Sequence, residues 1–194
     1  MHIAILGAGN VGGALTRHWS GQGHAVILGV RDPAAHAALI AETGARAAPV
    51  DKAAAGAEVI VLALPWSAAE GALAGLGDLS GTTMGPALAI GHTTSGGEMV
   101  ASWLPGARVV KTLNQCGAEI MADNRAMAHR PLMFMAGDDA DAKLTVAMLL
   151  QDLGFDPLDA GDLTKARLLE PLAMVWINQA ILRGKGRDWA FAAV

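Results

Sequence analysis

Three glycines near the N-terminus have the spacing that binds a phosphate through backbone atoms. Gly7, Gly9 and Gly12 form a GxGxxG pattern between the apolar run His2–Leu6 and a predicted helix from Val11 to Trp19. The first glycine permits a tight turn, the second lets a pyrophosphate approach, and the third lets the helix pack closely on the strand. The anion would accept hydrogen bonds from free N–H groups at the positive end of the helix. The pattern predicts a dinucleotide site, and the alternative is a glycine-rich turn that binds nothing.

The end of the next predicted strand, Ala25–Val30, indicates which dinucleotide would bind. An acidic residue there accepts from the ribose 2′-hydroxyl of NAD, whereas a nearby arginine accommodates the 2′-phosphate of NADP. Here Val30 takes the usual acidic position and Arg31 follows it. Because a guanidinium forms charge-assisted hydrogen bonds with phosphate, the sequence favours NADP(H). Two alternatives stay open: Asp32 could serve NAD, or Arg31 could be a solvated loop charge.

Apolar strands and helices alternate along the chain, which predicts an α/β fold. We expect a Rossmann-type, doubly wound, mostly parallel sheet over residues 1–160 and a helical C-terminal extension over residues 161–194. The extension contains a helix from Thr164 to Arg183, bent or restarted at Pro171. An apolar stripe on this helix should pack on its own domain or on a second subunit, which favours a homodimer. The stripe contains Leu168, Leu172, Val175, Trp176 and Ile181.

The predicted strand Glu58–Leu64 is apolar throughout, as a strand covered on both faces should be. Ligands of open α/β sheets bind beyond the carboxyl ends of the strands, so Leu64 and Pro65 should lie near the nicotinamide half of a dinucleotide. Trp66 either approaches the nicotinamide or packs in the core. The strand that should follow is hard to find, because residues 78–86 resemble a loop and the only candidate is the short run Ala87–Gly91.

The composition excludes several classes of protein. The formal net charge is −4 without a basic run, which argues against nucleic-acid binding. Although 53% of the residues are hydrophobic, no apolar run approaches the roughly 20 residues that span a membrane. Cys116 is the only cysteine, so no internal disulfide can form, and we expect a reducing, cytoplasmic compartment. The six histidines lack metal-ligand spacing, so we expect no metal site.

Residues 92–95 (HTTS) invite comparison with a nucleophilic site. A serine nucleophile needs a base and a group that orients it, and no GxSxG elbow is present, so a hydrolase is not favoured. Cys116 is better explained as a small buried hydrophobe than as a redox centre.

Seven segments together resemble one family, the NADP oxidoreductases that use the deazaflavin coenzyme F-420. They are also similar to the cytosolic reductase domain of the membrane metalloreductases. In chain order they are GAGNVGGAL from Gly7, GVRDP from Gly29, VIVLALPW from Val59, GHTTSG from Gly91, ARVVKTLN from Ala107, MAGDDADAK from Met135, and DLGFDPLDAGDLTKARLLEPLAM from Asp152.

The resemblance implies an enzyme that transfers hydride between C4 of NADPH and a flavin-like acceptor, which is F-420, FMN or FAD. The cofactors carry such chemistry, while the protein sets distance and excludes water. No catalytic acid or base is therefore assigned. The resemblance places the pyrophosphate on Gly7, Gly9, Asn10, Val11 and Gly12. It places Arg31 at the 2′-phosphate, Leu64 and Pro65 at the nicotinamide ribose, and the acceptor pocket on His92, Thr93 and Asn114.

One departure from the family pattern affects this expectation. Members of the family usually carry a strand and an Asn-Pro turn just before the GHTTSG segment, whereas here Thr82–Pro86 runs directly into ALAIGH. Either the protein has lost that strand and turn, which would leave the cofactor pocket more open, or the sequence omits a stretch at this point. A non-catalytic sensor of the NADP redox state is then an alternative. A reductase of a small carbonyl or imine, with His92 as proton donor, is another.

Overall fold

The computed structural model describes residues 1–74, 76, 83–85 and 93–194. Within these ranges, eight strands form one sheet: β1 (His2–Leu6), β2 (Ala25–Gly29), β3 (Arg46–Ala48), β4 (Val59–Leu62), β5 (Thr83–Gly85), β6 (Arg108–Lys111), β7 (Leu132–Gly137) and β8 (Asp156–Asp159). Their spatial order is β3-β2-β1-β4-β5-β6-β7-β8. All neighbours are parallel except β6 and β7, which are antiparallel. The expected doubly wound, mostly parallel sheet is confirmed.

Helices cover both faces of this sheet. They are α1 (Asn10–Gly21), α2 (Ala37–Thr43), α3 (Val50–Ala54), α4 (Trp66–Leu73), α5 (Gly96–Trp103), α6 (Ala118–Ala122), α7 (Ala140–Asp152) and α8 (Ala166–Ile177). Alternate residues of β1 face opposite ways: Ile3 and Ile5 pack with α1, α6 and α7, whereas Ala4 and Leu6 pack with α3, α4 and α5. None of the helices in the described ranges has the length and hydrophobicity that crossing a membrane requires.

The expectation of a missing strand is wrong. Residues Thr83–Gly85 form β5, which pairs in parallel with β4 on one side and with β6 on the other. The strand has only three residues, one of them glycine, and it follows a hydroxyl-rich stretch. Its composition therefore resembles a loop, and only pairing on both edges makes it a strand. The candidate run Ala87–Gly91 lies outside the described residues.

The C-terminal helix is also more continuous than expected. A 3-10 turn, Leu163–Lys165, leads into α8, which runs through Pro171 without restarting and continues into a π-helical turn, Asn178–Leu182. Proline lacks the N–H that would bond to the carbonyl four residues earlier, but here the helix tolerates that loss. The division of the chain at residue 160 stays a prediction.

The inner and outer faces of α8 differ sharply in their exposure to solvent. Leu169, Ala173 and Trp176 are buried, so Trp176 does not belong to an outward stripe. Several large apolar side chains on α8 and the π-helical turn are instead exposed: Leu168, Met174, Val175, Ile181 and Leu182.

The chain after the π-helical turn returns to the body of the protein. The indole of Trp189 stacks on that of Trp176, with ring centroids 5.9 Å apart. The carbonyl of Phe191 accepts a hydrogen bond of 2.8 Å from the N–H of Leu132 at the start of β7. These contacts hold the C-terminal segment against α8 and the sheet.

The first helix lies unusually close to the strand that precedes it. A Cβ added at Gly12 would overlap the carbonyl oxygen of Gly7. Gly7 itself has a φ of +103°, and a Cβ there would lie 2.5 Å from the carbonyl oxygen of Ala63. By contrast, a Cβ on Gly9 would meet no protein atom within 4 Å. Packing therefore requires glycine at positions 7 and 12 but not at position 9.

This contrast predicts opposite stability effects for two similar substitutions. We expect Gly12→Ala to lower the free energy of unfolding by about 2 kcal/mol or more, because the new methyl group overlaps backbone that cannot rotate away. We expect Gly9→Ala to leave it within about 0.5 kcal/mol of the parent value, as for a surface substitution. Urea denaturation of both variants measures the difference, and equal effects would contradict this account of the turn.

Candidate functional site

A cleft of about 700 Å³ opens at the carboxyl ends of β1, β2 and β4. Strand order reverses at β1, with β2 and β3 on one side and β4 onward on the other, and such a reversal is where open α/β sheets bind ligands. Five of the residues predicted from the sequence line the cleft together: Gly7, Gly9, Arg31, Leu64 and Pro65.

The N-terminus of α1 points an unneutralised positive end toward this cleft. Gly9 caps the helix without a side-chain hydrogen bond, and the first turn holds no acidic residue. The first N–H groups of a helix have no partner within the helix. Together with the open space beside Gly9, this arrangement can receive an anion such as a pyrophosphate.

The remaining predicted pyrophosphate residues lie at the start of α1. Asn10 is exposed and lines a second hollow of about 530 Å³, which shares Ala8, Gly9 and His36 with the main cleft. Gly12 is buried, so its contribution is the close packing of α1 on the turn.

The tip of β2 presents a cation to the cleft, and the carboxylate next to it caps the following turn. Arg31 is exposed in the cleft wall. The carboxylate of Asp32 accepts a hydrogen bond of 3.0 Å from the N–H of Ala34 and thereby caps the 3-10 turn Pro33–His36. His36, half-buried at the end of that turn, also lines the cleft. The sequence reasoning missed His36, although its place one short turn beyond Arg31 was a usable signal.

Leu64 and Pro65 connect β4 to α4 and form the apolar wall of the cleft. For Trp66, the structure shows the packing alternative. Its indole stacks on that of Trp103, with ring centroids 5.2 Å apart, and packs against the core on the α3, α4 and α5 face.

The residues predicted to bind an acceptor do not line the cleft as the predicted dinucleotide residues do. His92 lies outside the described residues. Thr93 is exposed just before α5, and Asn114 follows β6, but neither lines the described part of the cleft. The Asn114 side chain donates a hydrogen bond of 2.6 Å to the carbonyl of Leu169 on α8. Their role in an acceptor pocket stays a prediction.

A buried ion pair near these residues was missed by the sequence reasoning. The Glu170 carboxylate on α8 lies 3.1 Å from the Lys111 ammonium on β6, and both side chains are fully buried. The same carboxylate accepts hydrogen bonds of 2.9 Å and 3.1 Å from the N–H groups of Gly96 and Gly97 at the start of α5. Burial lowers the pKa of Lys111 to about 8, although the Glu170 carboxylate opposes this shift. The available signal was that Glu170 is the only charged residue between positions 168 and 182.

The other candidate nucleophiles have structural roles. The Ser95 hydroxyl caps α5: it accepts a hydrogen bond of 3.1 Å from the N–H of Glu98 and donates one of 2.8 Å to its carboxylate. Burial, with a smaller contribution from Glu119, raises the pKa of the Cys116 thiol to about 12. Since the thiolate is the reactive form, Cys116 is not a nucleophile near neutral pH.

Comparison with known proteins places these features in context. A statistical model of the family described as NADP oxidoreductase, coenzyme F-420-dependent, matches residues 2–84. A crystal structure from Arthrobacter sp. FB24, whose protein is provisionally named an F-420-dependent NADP reductase, is 34% identical with a TM-score of 0.90. The match covers 100% of this chain and 99% of that one.

Two further similarities are more limited. The metalloreductase STEAP3 of Rattus norvegicus is 31% identical over 180 residues, which are 89% of this chain. The chain spans only about a third of that relative, 36% of its length. A reductive aminase from Aspergillus terreus shares the fold, with a TM-score of 0.72 at 24% identity over 94% of this chain and 62% of that one.

Proposed function

Because this chain belongs to the family of coenzyme F-420-dependent NADP oxidoreductases, we propose that it transfers a hydride between NADP(H) and a deazaflavin or flavin acceptor. The observation that carries the proposal is the cleft, in which an uncapped helix N-terminus and Arg31 face the same space. The nicotinamide, when bound, supplies the hydride. The residues of this chain bind, orient and shield the reactants.

The glycine turn holds the pyrophosphate in this proposal. The first N–H groups of α1, at Asn10 and Val11, donate to its oxygens, and Gly9 leaves room for it because no Cβ projects into the cleft. Leu64 and Pro65 pack against the ribose and exclude water.

The tip of β2 selects the phosphorylated dinucleotide. Arg31 donates charge-assisted hydrogen bonds to the 2′-phosphate, and His36 lines the same end of the cleft as a second donor. The Asp32 carboxylate is already engaged with the N–H of Ala34, which supports a preference for NADP(H) over NAD(H).

The acceptor binds beyond the nicotinamide, at the segment that includes His92 and Thr93 and at Asn114. Because β4, β5 and β6 are parallel, residues that follow them lie on the same edge of the sheet as the cleft. Asn114 closely follows β6 and is thus on the correct side to border a ring stacked on the nicotinamide.

The reaction is tested by oxidation of NADPH with purified protein, followed by absorbance at the nicotinamide band. We expect turnover with coenzyme F-420, or with FMN if the acceptor has changed within the family. Tight NADPH binding without turnover on either acceptor would contradict the enzyme proposal and favour a redox-sensing role.

Cofactor preference is tested at Arg31. We expect Arg31→Ala to raise the Kd for NADPH about 10- to 100-fold, the cost of losing hydrogen bonds to a charged group, and to leave the Kd for NADH unchanged. Arg46→Ala is the matched control, since it removes an exposed arginine of the neighbouring strand β3 that does not line the cleft. Fluorescence titration measures both affinities, and an equal loss for NADPH and NADH would disprove the role of Arg31.

We also propose that a second copy of the chain covers the outer face of α8. Between Leu168 and Leu182 the exposed positions carry no charge, so two such faces related by a two-fold axis would meet without like-charge repulsion. Apolar patches of this kind commonly mark protein interfaces.

The assembly is tested with the double variant Leu168→Glu/Val175→Glu. Both side chains are exposed, so each chain should fold normally while facing carboxylates repel across the axis. Light scattering should give about twice the chain mass of 19.8 kDa for the parent and one chain mass for the variant. A monomeric parent would rule out the dimer.

A further inference from the structure

The Glu170 carboxylate joins three separate elements in the interior. It projects from α8, accepts hydrogen bonds from the N–H groups of Gly96 and Gly97 at the start of α5, and pairs with Lys111 of β6. A carboxylate at a helix N-terminus is favoured by the free N–H groups and by the helix dipole. Burial without these partners would be costly, so the carboxylate stays buried only while α8, α5 and β6 keep this arrangement.

A second contact ties the same turn of α8 to the loop after β6. The Asn114 side chain donates to the carbonyl of Leu169, the residue next to Glu170. The loop itself has an uncommon conformation, since Leu113 has a φ of +58°. A branched residue adopts such a φ only when its surroundings impose it. The docked α8 is therefore one of the supports of this loop.

Both contacts adjoin the two segments assigned to the acceptor. Thr93 and Thr94 precede the capping residue Ser95 and the Gly96 and Gly97 donors, while Asn114 is three residues beyond Lys111. None of the described residues that line the dinucleotide cleft belongs to α8 or to α5. The contacts of Glu170 are thus placed to shape the acceptor side of the protein and not the dinucleotide side.

We propose that Glu170 is a positioning residue for the acceptor: by locking α8 to α5 and β6, it sets the spacing between the Thr93 segment and Asn114. The proposal rests on the proposed function, because it assumes that these segments border the acceptor. It assigns to the C-terminal helix a part in acceptor binding that is separate from any part in assembly.

The same two helices offer a matched control on their solvent side. Arg167 of α8 forms two hydrogen bonds with the Glu98 carboxylate of α5, and both side chains are partly exposed. Arg167→Gln removes a charged link between α8 and α5 without disturbing the buried carboxylate. If the role is specific to Glu170, a substitution of Glu170 must therefore have effects that Arg167→Gln does not have.

The test compares Glu170→Gln with Arg167→Gln in the full chain. The introduced amide keeps the shape of the side chain but replaces one acceptor oxygen by an NH₂ group, which faces either the N–H of Gly96 or both the N–H of Gly97 and the ammonium, so we expect α5 and the Asn114 loop to shift. Because a small misplacement weakens binding and reaction strongly, we expect the acceptor KM to rise about tenfold or more. The Kd for NADPH should stay within about twofold, since the glycine turn is untouched. Arg167→Gln should match the parent in both.

Amide hydrogen exchange supplies a readout that does not depend on turnover. In Glu170→Gln, exchange should increase over residues 93–97 and 113–117 and stay unchanged over the glycine turn. If the parent shows no turnover with any acceptor, the proposed function has failed, and the exchange pattern alone decides whether Glu170 holds these segments. If Glu170→Gln does not fold, the double variant Glu170→Gln/Lys111→Met replaces it, because it leaves no unpaired buried charge, and the same increase in exchange and in acceptor KM is expected.

Two results would overturn the proposal. One is a Glu170→Gln variant whose acceptor KM and amide hydrogen exchange both match those of the parent. The other is an equal rise in the NADPH Kd and the acceptor KM, which would indicate a general loss of structure.

Discussion

The contact between the backbone of α1 and the turn at Gly7 is the constraint on which the cleft depends. Gly12 lies so close to the carbonyl of Gly7 that no side chain fits, and Gly7 is itself pressed against the carbonyl of Ala63 after β4. The helix therefore begins directly above the ends of β1 and β4. This position aims its free N–H groups into the space that Arg31 and Leu64 also border. A helix set further out would leave the same residues without a common ligand.

The opposite half of the sheet depends on a buried charge. The Glu170 carboxylate is shielded from solvent. It accepts hydrogen bonds from the start of α5 and forms an ion pair with Lys111. A buried carboxylate that lost one of these partners would be strongly destabilising, so α8 cannot slide or rotate freely on the sheet. The extension is thus joined to the fold by a specific polar contact in addition to apolar packing. The half-exposed pair of Glu98 and Arg167 repeats the link between α5 and α8 with a weaker interaction.

In the proposed function, the two halves of one sheet have different tasks. The first half, through β4, carries the glycine turn, Arg31 and the apolar wall, and it coincides closely with the residues that the family model matches. The second half begins at β5 and ends with α8, and it contains the residues assigned to the acceptor.

Local sequence determined much of the dinucleotide half. The GxGxxG turn, the apolar strands β1 and β4 and the cation at Arg31 are each marked within a few residues, because turn geometry and burial on both faces require particular residue types there. The fold class followed from the alternation of these elements. The tertiary structure added contacts that the local sequence left open. It showed that Asp32 caps the following turn and that Trp66 stacks on Trp103.

Other features have no local signature. The three residues of β5 are a strand because β4 and β6 supply partners on both edges, whereas the glycine and hydroxyl residues around them predicted a loop. Lys111 and Glu170 are 59 positions apart, and although Glu170 is the only charge in its apolar stretch, nothing local pairs it with Lys111 or with the start of α5. Local sequence patterns reflect backbone conformation and exposure, because residues close in the chain largely control both. Pairing across the sheet and the burial of a charge depend on residues that only the folded chain brings together.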